Sequence, residues 1–234
     1  MKAGPVSEFD AQETEPGFFI CGIIDDRIGR GDKVTKGVRG TYWAEQSDSG
    51  SCQVPEGDYV VTDAIALGQE DALGNLKWRQ GLCGQVLEID CGNGPVDAVV
   101  VTACGNCGVD MIGKTWRKAT GDRPPGVVDC GVSLTNKNPI RGDEPICYYR
   151  PDSEFDNDYS AILGVFNTGG RISSSAIAAG VAGLRYSSGW FVFGGSGKPI
   201  LNKDAQVVFT YEEGSNSSFR LADCKSGGRG QIFQ

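Results

Sequence analysis

Histidine is absent from this chain of 234 residues, and methionine occurs only twice. The lack of histidine removes the commonest general base and a principal metal ligand, so acid or base chemistry must fall to carboxylates, and any metal site to cysteine and carboxylate. No apolar run approaches the roughly 20 residues of a membrane span. An excess of positive charge is also missing: 22 Lys and Arg stand against 30 Asp and Glu, a net charge of -8. Phosphate recognition draws on a surplus of Lys and Arg, so nucleic acid and anionic membrane surfaces are excluded as partners. The opening residues M-K-A-G-P-V-S-E-F-D carry no apolar core of the kind a signal peptide needs.

Cysteine is abundant instead. Cys21, Cys52, Cys83, Cys91, Cys104, Cys107, Cys130, Cys147 and Cys224 give a density that suits an oxidising, extracellular compartment. The odd total leaves one thiol unpaired or intermolecular, a route to self-association, and Cys21 is the natural candidate. Spacing does not give the connectivity, although Cys224 is placed to reach back to Cys147. A zinc half-site of Cys104 and Cys107 with Cys83 or Cys91 is the competing arrangement, weakened by the lack of histidine. Glycine is plentiful, at 35 residues, and fits a chain of many turns.

The most informative stretch runs from Val99 to Gly126. Val99, Val100 and Val101 form a β-branched run too short for a helix, which predicts a strand buried on both faces. Cys104 and Cys107 bracket a tight turn that a disulfide from elsewhere would pin, and Asp110 follows on that turn. Thr115, Trp116 and Ala119 are at helical spacing, and Gly121 with Pro124 and Pro125 ends the helix. On spacing alone Asp110 reads as a helix cap.

These residues resemble a known family. The order strand, Cys-x-x-Cys, Val-Asp-Met, Trp, Gly, Pro-Gly is similar to the double-psi β-barrel of expansins and loosenins, related to family 45 glycoside hydrolases and barwin. Thr41-Tyr42-Trp43 resembles the family's T-[FYW]-[YW] motif, Ser51-Cys52 its G-A-C-G turn, and Cys83 to Ile89 its C-G-x-x-V-x-I strand. The resemblance implies that Asp110 is the aspartate required for wall loosening. Thr102 stands where the family carries its first aspartate. Pro145 to Arg150 resembles the strand that leaves the barrel, and Tyr159-Ser160-Ala161-Ile162 the opening of the carbohydrate-binding sandwich, with Asp158 in place of the first aromatic.

The second half supports a sandwich independently. Short apolar runs, Ala161 to Leu163, Val165-Phe166, Trp190 to Phe193 and Val207 to Phe209, alternate with Gly and Ser clusters. The segment Ser173 to Ala182 is expected to be a loop or strand. The predicted organisation is all-β: an extension over 1–39, a six-stranded double-psi β-barrel over 40–143, and an immunoglobulin-like β-sandwich over 144–234. Disulfides are expected among Cys52, Cys83, Cys91, Cys104, Cys107, Cys130, Cys147 and Cys224. Asn216 begins a glycosylation sequon in a polar turn. Two Arg-Gly-Asp tripeptides, at 30–32 and 141–143, read as chance loops.

Glycoside hydrolysis normally needs two placed carboxylates. Asp110 is one candidate. No spacing directs Asp63, Glu70, Asp71 or Asp129 to join it, and Thr102 occupies the place the family uses. The expected role is therefore polysaccharide binding with loosening and no hydrolysis. Thr41, Tyr42, Trp43, Thr102 and Asp110 are its groove candidates, and Tyr159, Tyr186 and Trp190 its flat surface. The negative charge favours a neutral glucan, cellulose, xylan or chitin over de-esterified pectin. No cofactor or metal is expected. A structural matrix protein on the same fold, and a barwin- or kiwellin-type defence protein, are the alternatives.

Overall fold

The computed structural model describes residues 33–44, 50–151, 153, 157–186, 188–194, 197, 199 and 201–228. The apolar segment Phe18 to Ile24, Cys21 and the first Arg-Gly-Asp lie outside them.

Six strands close a barrel: β1 (Thr35–Trp43), β2 (Ala64–Leu67), β3 (Val86–Asp90), β4 (Val96–Ala103), β5 (Val109–Ile112) and β6 (Val127–Leu134). Their order around it is β1-β5-β2-β4-β3-β6, with β6 pairing back to β1. The pairs β1–β5 and β2–β4 are parallel and the others antiparallel. The first strand starts at Thr35, inside the stretch that the sequence suggested as an extension. Val38, Ile65, Leu67, Leu87, Ile89, Ala98, Val100, Val109, Met111 and Val132 fill the barrel. Val99 and Val101 point the other way and are equally buried, as the unbroken valine run predicts.

Between β5 and β6 lies the helix α1 (Gly113–Thr120), which ends at left-handed Gly121. Trp116 drops from it into the barrel core, 1% exposed, and its indole N–H donates to the Arg123 carbonyl at 2.7 Å. Ile112, not Asp110, is the helix N-cap. The capping reading of Asp110 is thereby corrected: it lies within β5, two residues before the cap.

The carboxy-terminal part is a sandwich of two sheets. One has the order β10-β9-β13-β14 and the other β11-β12-β8-β7-β15. The strands are β7 (Ile146–Tyr149), β8 (Ser160–Phe166), β9 (Ser173–Ala178), β10 (Val181–Ala182), β11 (Leu184–Arg185), β12 (Phe191–Gly194), β13 (Gln206–Tyr211), β14 (Asn216–Arg220) and β15 (Lys225–Ser226). Ala161, Leu163, Val165, Phe191, Phe193, Val207, Phe209 and Tyr211 fill the space between the sheets. Ser173 to Ala182 resolves into β9 and β10, because Ala176 and Ala178 face that core in alternation with exposed neighbours.

Four disulfides join Cys52 to Cys83, Cys91 to Cys130, Cys104 to Cys107 and Cys147 to Cys224. Cys104 and Cys107 pair with each other, so their turn pins itself and needs no bond from elsewhere. Cys83 and Cys91, each bonded to another partner, are unavailable for the zinc arrangement. Cys147–Cys224 ties the two ends of the sandwich, a pairing within the reach expected of Cys224.

Barrel and sandwich share a third apolar cluster. Cys52, Val54, Ala64, Val86, Val99, Val101, Ile112 and Ile140 from the barrel side meet Tyr148, Phe166 and Trp190 from the sandwich. Hydrogen bonds cross the same junction: Trp190 Nε1 to the Cys52 carbonyl at 3.0 Å, Gln85 Nε2 to Thr168 Oγ1 at 3.0 Å, and Ile140 N–H to Asn167 Oδ1 at 3.0 Å.

Candidate functional site on the outer face of the barrel

Strand alternation decides which side chains leave the barrel. In β1, Val38 faces inward and Tyr42 packs on the inner core, so Arg39, Thr41 and Trp43 face outward. In β5, Val109 and Met111 face inward, so Asp110 faces outward. Register then lines these residues up. Thr41 lies opposite Asp110, Asp110 opposite Ala66, and Ala66 opposite Thr102. Thr41, Asp110, Ala66 and Thr102 therefore form one row across β1, β5, β2 and β4.

Within that row Thr41 Oγ1 donates to Asp110 Oδ1 at 2.7 Å. Asp110 is half-buried. Removal from water pushes its carboxyl above the ordinary aspartate range, and the Thr41 hydroxyl pulls it part of the way back. At the other end of the row, Thr102 Oγ1 accepts the Ser51 N–H at 3.0 Å and shares a hydrogen bond with Ser51 Oγ at 3.0 Å. Ser51 Oγ also accepts the Ala103 N–H at 3.2 Å. Thr102 thus anchors the short turn Gly50–Cys52 over the end of β4. Gly50 is required there: its φ is +58°, and a Cβ would sit 2.4 Å from the Thr102 Cβ.

The carboxylates named from composition go elsewhere. Asp63 is buried and its Oδ2 meets Lys118 Nζ at 2.5 Å. Asp71 pairs with Lys77 in an exposed turn. Asp129 is exposed on β6 opposite Arg39. Glu70 Oε2 accepts the Arg39 backbone N–H at 3.2 Å. None of the four stands in the row of Asp110.

Two of the expected sugar-facing aromatics are on the wrong side. Tyr42 points into the barrel, where its ring meets Trp116 edge-on at 6.1 Å. Alternation forces this once Thr41 and Trp43 face outward. Trp190 is 0% exposed and lies against Phe166 at 5.0 Å in the junction between barrel and sandwich, so it offers no flat surface to a polymer. Tyr159 and Tyr186 are at the surface, 52% and 45% exposed, and the Arg150 guanidinium stacks 4.7 Å from the Tyr186 ring centroid. Tyr159 precedes β8, at the end where Ser160 pairs with Gly194. Tyr186 hydrogen-bonds to the Trp190 carbonyl at the other end of the sheet.

Trp43, a groove candidate, and residues the sequence did not single out connect the two parts. Trp43, Tyr59 and Ile162 each pack, partly exposed, on the shared cluster around Ile112, Tyr148 and Trp190. Val192 lies opposite Ile162 and Leu184 opposite Val192, continuing the row to Leu184, 74% exposed. Tyr148 and Arg150 share its face with Ile162 by alternation from inward-facing Cys147 and Tyr149. Burial raises the phenols of Tyr59 and Tyr148 above the usual tyrosine range, so both stay neutral hydroxyls. Trp43 on the outer face of the barrel and Ile162 on the outer face of the five-stranded sheet thus pack on the same apolar cluster. The only sequence signal for this was the pair Tyr148-Tyr149, whose opposite facings follow from strand alternation.

Asn216 is exposed at the start of β14, an edge strand, and not in a turn. In the second Arg-Gly-Asp, Arg141 Nε meets Asp58 Oδ2 at 2.6 Å.

No protein-family model and no curated protein matches the sequence. Solved structures do. The chain is similar to the crystal structure of an apo expansin from Clavibacter michiganensis, with a TM-score of 0.61 at 17% identity, over 85% of this chain and 96% of that one. A mutant of the Clavibacter expansin in complex with cellohexaose matches with a TM-score of 0.61 at 16% identity and the same coverage. With its closed six-stranded barrel packed on a two-sheet sandwich, this chain has the expansin fold.

Proposed function

We propose that the chain is a secreted expansin-like protein that binds cell-wall or matrix polysaccharide and loosens it without hydrolysis. The observation that carries this reading is Asp110, half-buried on the outer barrel face, hydrogen-bonded by Thr41 and alone as a carboxylate in its row. A half-buried carboxyl held by one hydroxyl exchanges hydrogen bonds with sugar hydroxyls and so competes with contacts between polymer chains. The apolar path from Trp43 through Tyr59 and Ile162 to Leu184, with Tyr186 beside it, offers C–H faces of a sugar chain a surface to lie on.

Among the described residues no second carboxylate stands in the row of Asp110. An inverting or retaining mechanism needs a base or nucleophile opposite the acid. Thr102, at the far end of the row, supplies a hydroxyl that is already engaged with Ser51. The cellohexaose complex of the Clavibacter expansin mutant supports a β-linked glucan as the ligand, and xylan and chitin share its neutral chemistry. Four disulfides support an oxidising compartment and hence secretion.

The test is a pull-down with insoluble cellulose, xylan and chitin, using wild type and Asp110→Asn, with released reducing sugar and wall creep measured beside it. The expected result is binding to at least one polymer, no sugar release, and creep that Asp110→Asn abolishes. Binding to no polymer would overturn the reading and leave a structural matrix role.

A further inference from the structure

We infer that Arg39 and Glu70 form a charge filter beside Asp110 that keeps the groove for uncharged sugars. The inference rests on the reading of the Asp110 face as a polysaccharide site. Arg39 leaves β1 on the same outer face as Thr41, two residues away, which is roughly 7 Å along a strand. Its guanidinium reaches across the start of β5: Nη2 donates to the Asn106 carbonyl in the Cys104–Cys107 loop, and Nε lies 3.7 Å from Glu70 Oε1. The other Glu70 oxygen accepts the Arg39 backbone N–H at 3.2 Å. Both side chains remain partly open to solvent, 41% and 30% exposed. From β6, Asp129 lies opposite Arg39 in register and is exposed on the same face.

An arginine fork is the side chain best matched to a carboxylate, so an unopposed Arg39 next to Asp110 would draw the carboxylate of a uronic acid into the groove. Glu70 prevents this in two ways. It offsets the guanidinium charge from ion-pair distance, 3.7 Å from Nε, and with Asp129 it adds negative potential where a uronate carboxylate would arrive. A neutral sugar meets neither obstacle, because its hydroxyls still find acceptors on Glu70 and Asp110. The pair is therefore a specificity determinant.

The experiment is calorimetric titration of cellohexaose and hexagalacturonate into wild type, Glu70→Gln and Arg39→Gln, with Asp110→Asn as the reference for the groove itself. Glu70→Gln keeps an oxygen for the Arg39 N–H and loses the charge. Its affinity for hexagalacturonate relative to cellohexaose is expected to rise about tenfold, the worth of one charge-assisted contact. Arg39→Gln leaves Glu70 unopposed, so the same ratio is expected to fall. A purely structural role for the pair would move neither ratio. An unmoved ratio in folded variants that still bind cellohexaose overturns the filter and leaves the groove standing. If Glu70→Gln does not fold, the ratio in Arg39→Gln decides alone. Absence of cellohexaose binding by wild type overturns the groove and the filter together.

Discussion

Asp110 carries its own pH signature. Because burial raises its carboxyl, the folded protein holds that proton more tightly than the unfolded chain does. The associated stability is fully present below the unfolded pKa and is lost as pH rises through the folded one. Asp110→Asn, which cannot ionise, should therefore melt above wild type at about pH 7, and the two should converge near about pH 3, as thermal scans across that range would show. Thr41→Val removes the donor that holds the carboxylate form, so a carboxyl titration followed by NMR should show Asp110 moving further up. Thr102→Asp is the complementary change. An aspartate there still accepts from the Ser51 N–H, and it adds a like charge to the row, which should raise Asp110 in the same titration. The sequence named Thr41, Thr102 and Asp110 through their motifs, but only cross-strand register shows that they share a row. Contiguity also misled: Thr41, Tyr42 and Trp43 read as one motif, yet alternation sends the middle residue into the core.

At the level of elements, the outer face depends on how closely β2 approaches the Cys104–Cys107 loop. Gly68, just after β2, donates to the Gly108 carbonyl at 2.9 Å, and a Cβ on it would sit 1.7 Å from the Cys107 carbonyl oxygen. Gly68→Ala should push β2 and the loop apart and cost about 1–3 kcal/mol in chemical denaturation, the usual penalty for overpacking. Helix α1 was legible because its apolar residues fall on one face and Gly121 follows. The position of Asp110 was not, since a carboxylate three residues ahead of a helix satisfies the capping pattern equally well when it belongs to a strand.

For the whole molecule, Trp190 is the fastening. It is fully buried, packs at a tilt against Phe166 and donates to the Cys52 carbonyl across the barrel–sandwich junction. Trp190→Ala should cost about 3–5 kcal/mol and split a single calorimetric unfolding transition into two, because the shared cluster would no longer couple the parts. Polymer binding should weaken as well, through loss of that coupling and without loss of a sugar contact. A single transition with unchanged binding would argue that the junction is held by Gln85, Asn167 and Arg79 instead, the last through its ion pair with Glu212 at 2.9 Å.

The candidacy of Asp110 came through the resemblance of its motif; local chemistry by itself determined the all-β class, the valine strand, the short helix and the cysteine-rich character. Those are properties of contiguous residues: β-branching, helical spacing, glycine and proline punctuation, and the count of thiols. The tertiary structure alone decided which cysteines pair, which aromatics face water, and that barrel and sandwich meet in one apolar cluster. Each of those depends on contacts between residues far apart in the chain. For Trp190, the same side chain suits a sugar-binding surface or a buried junction, and what distinguishes them is whether Cys52, 138 residues away along the chain, lies against it.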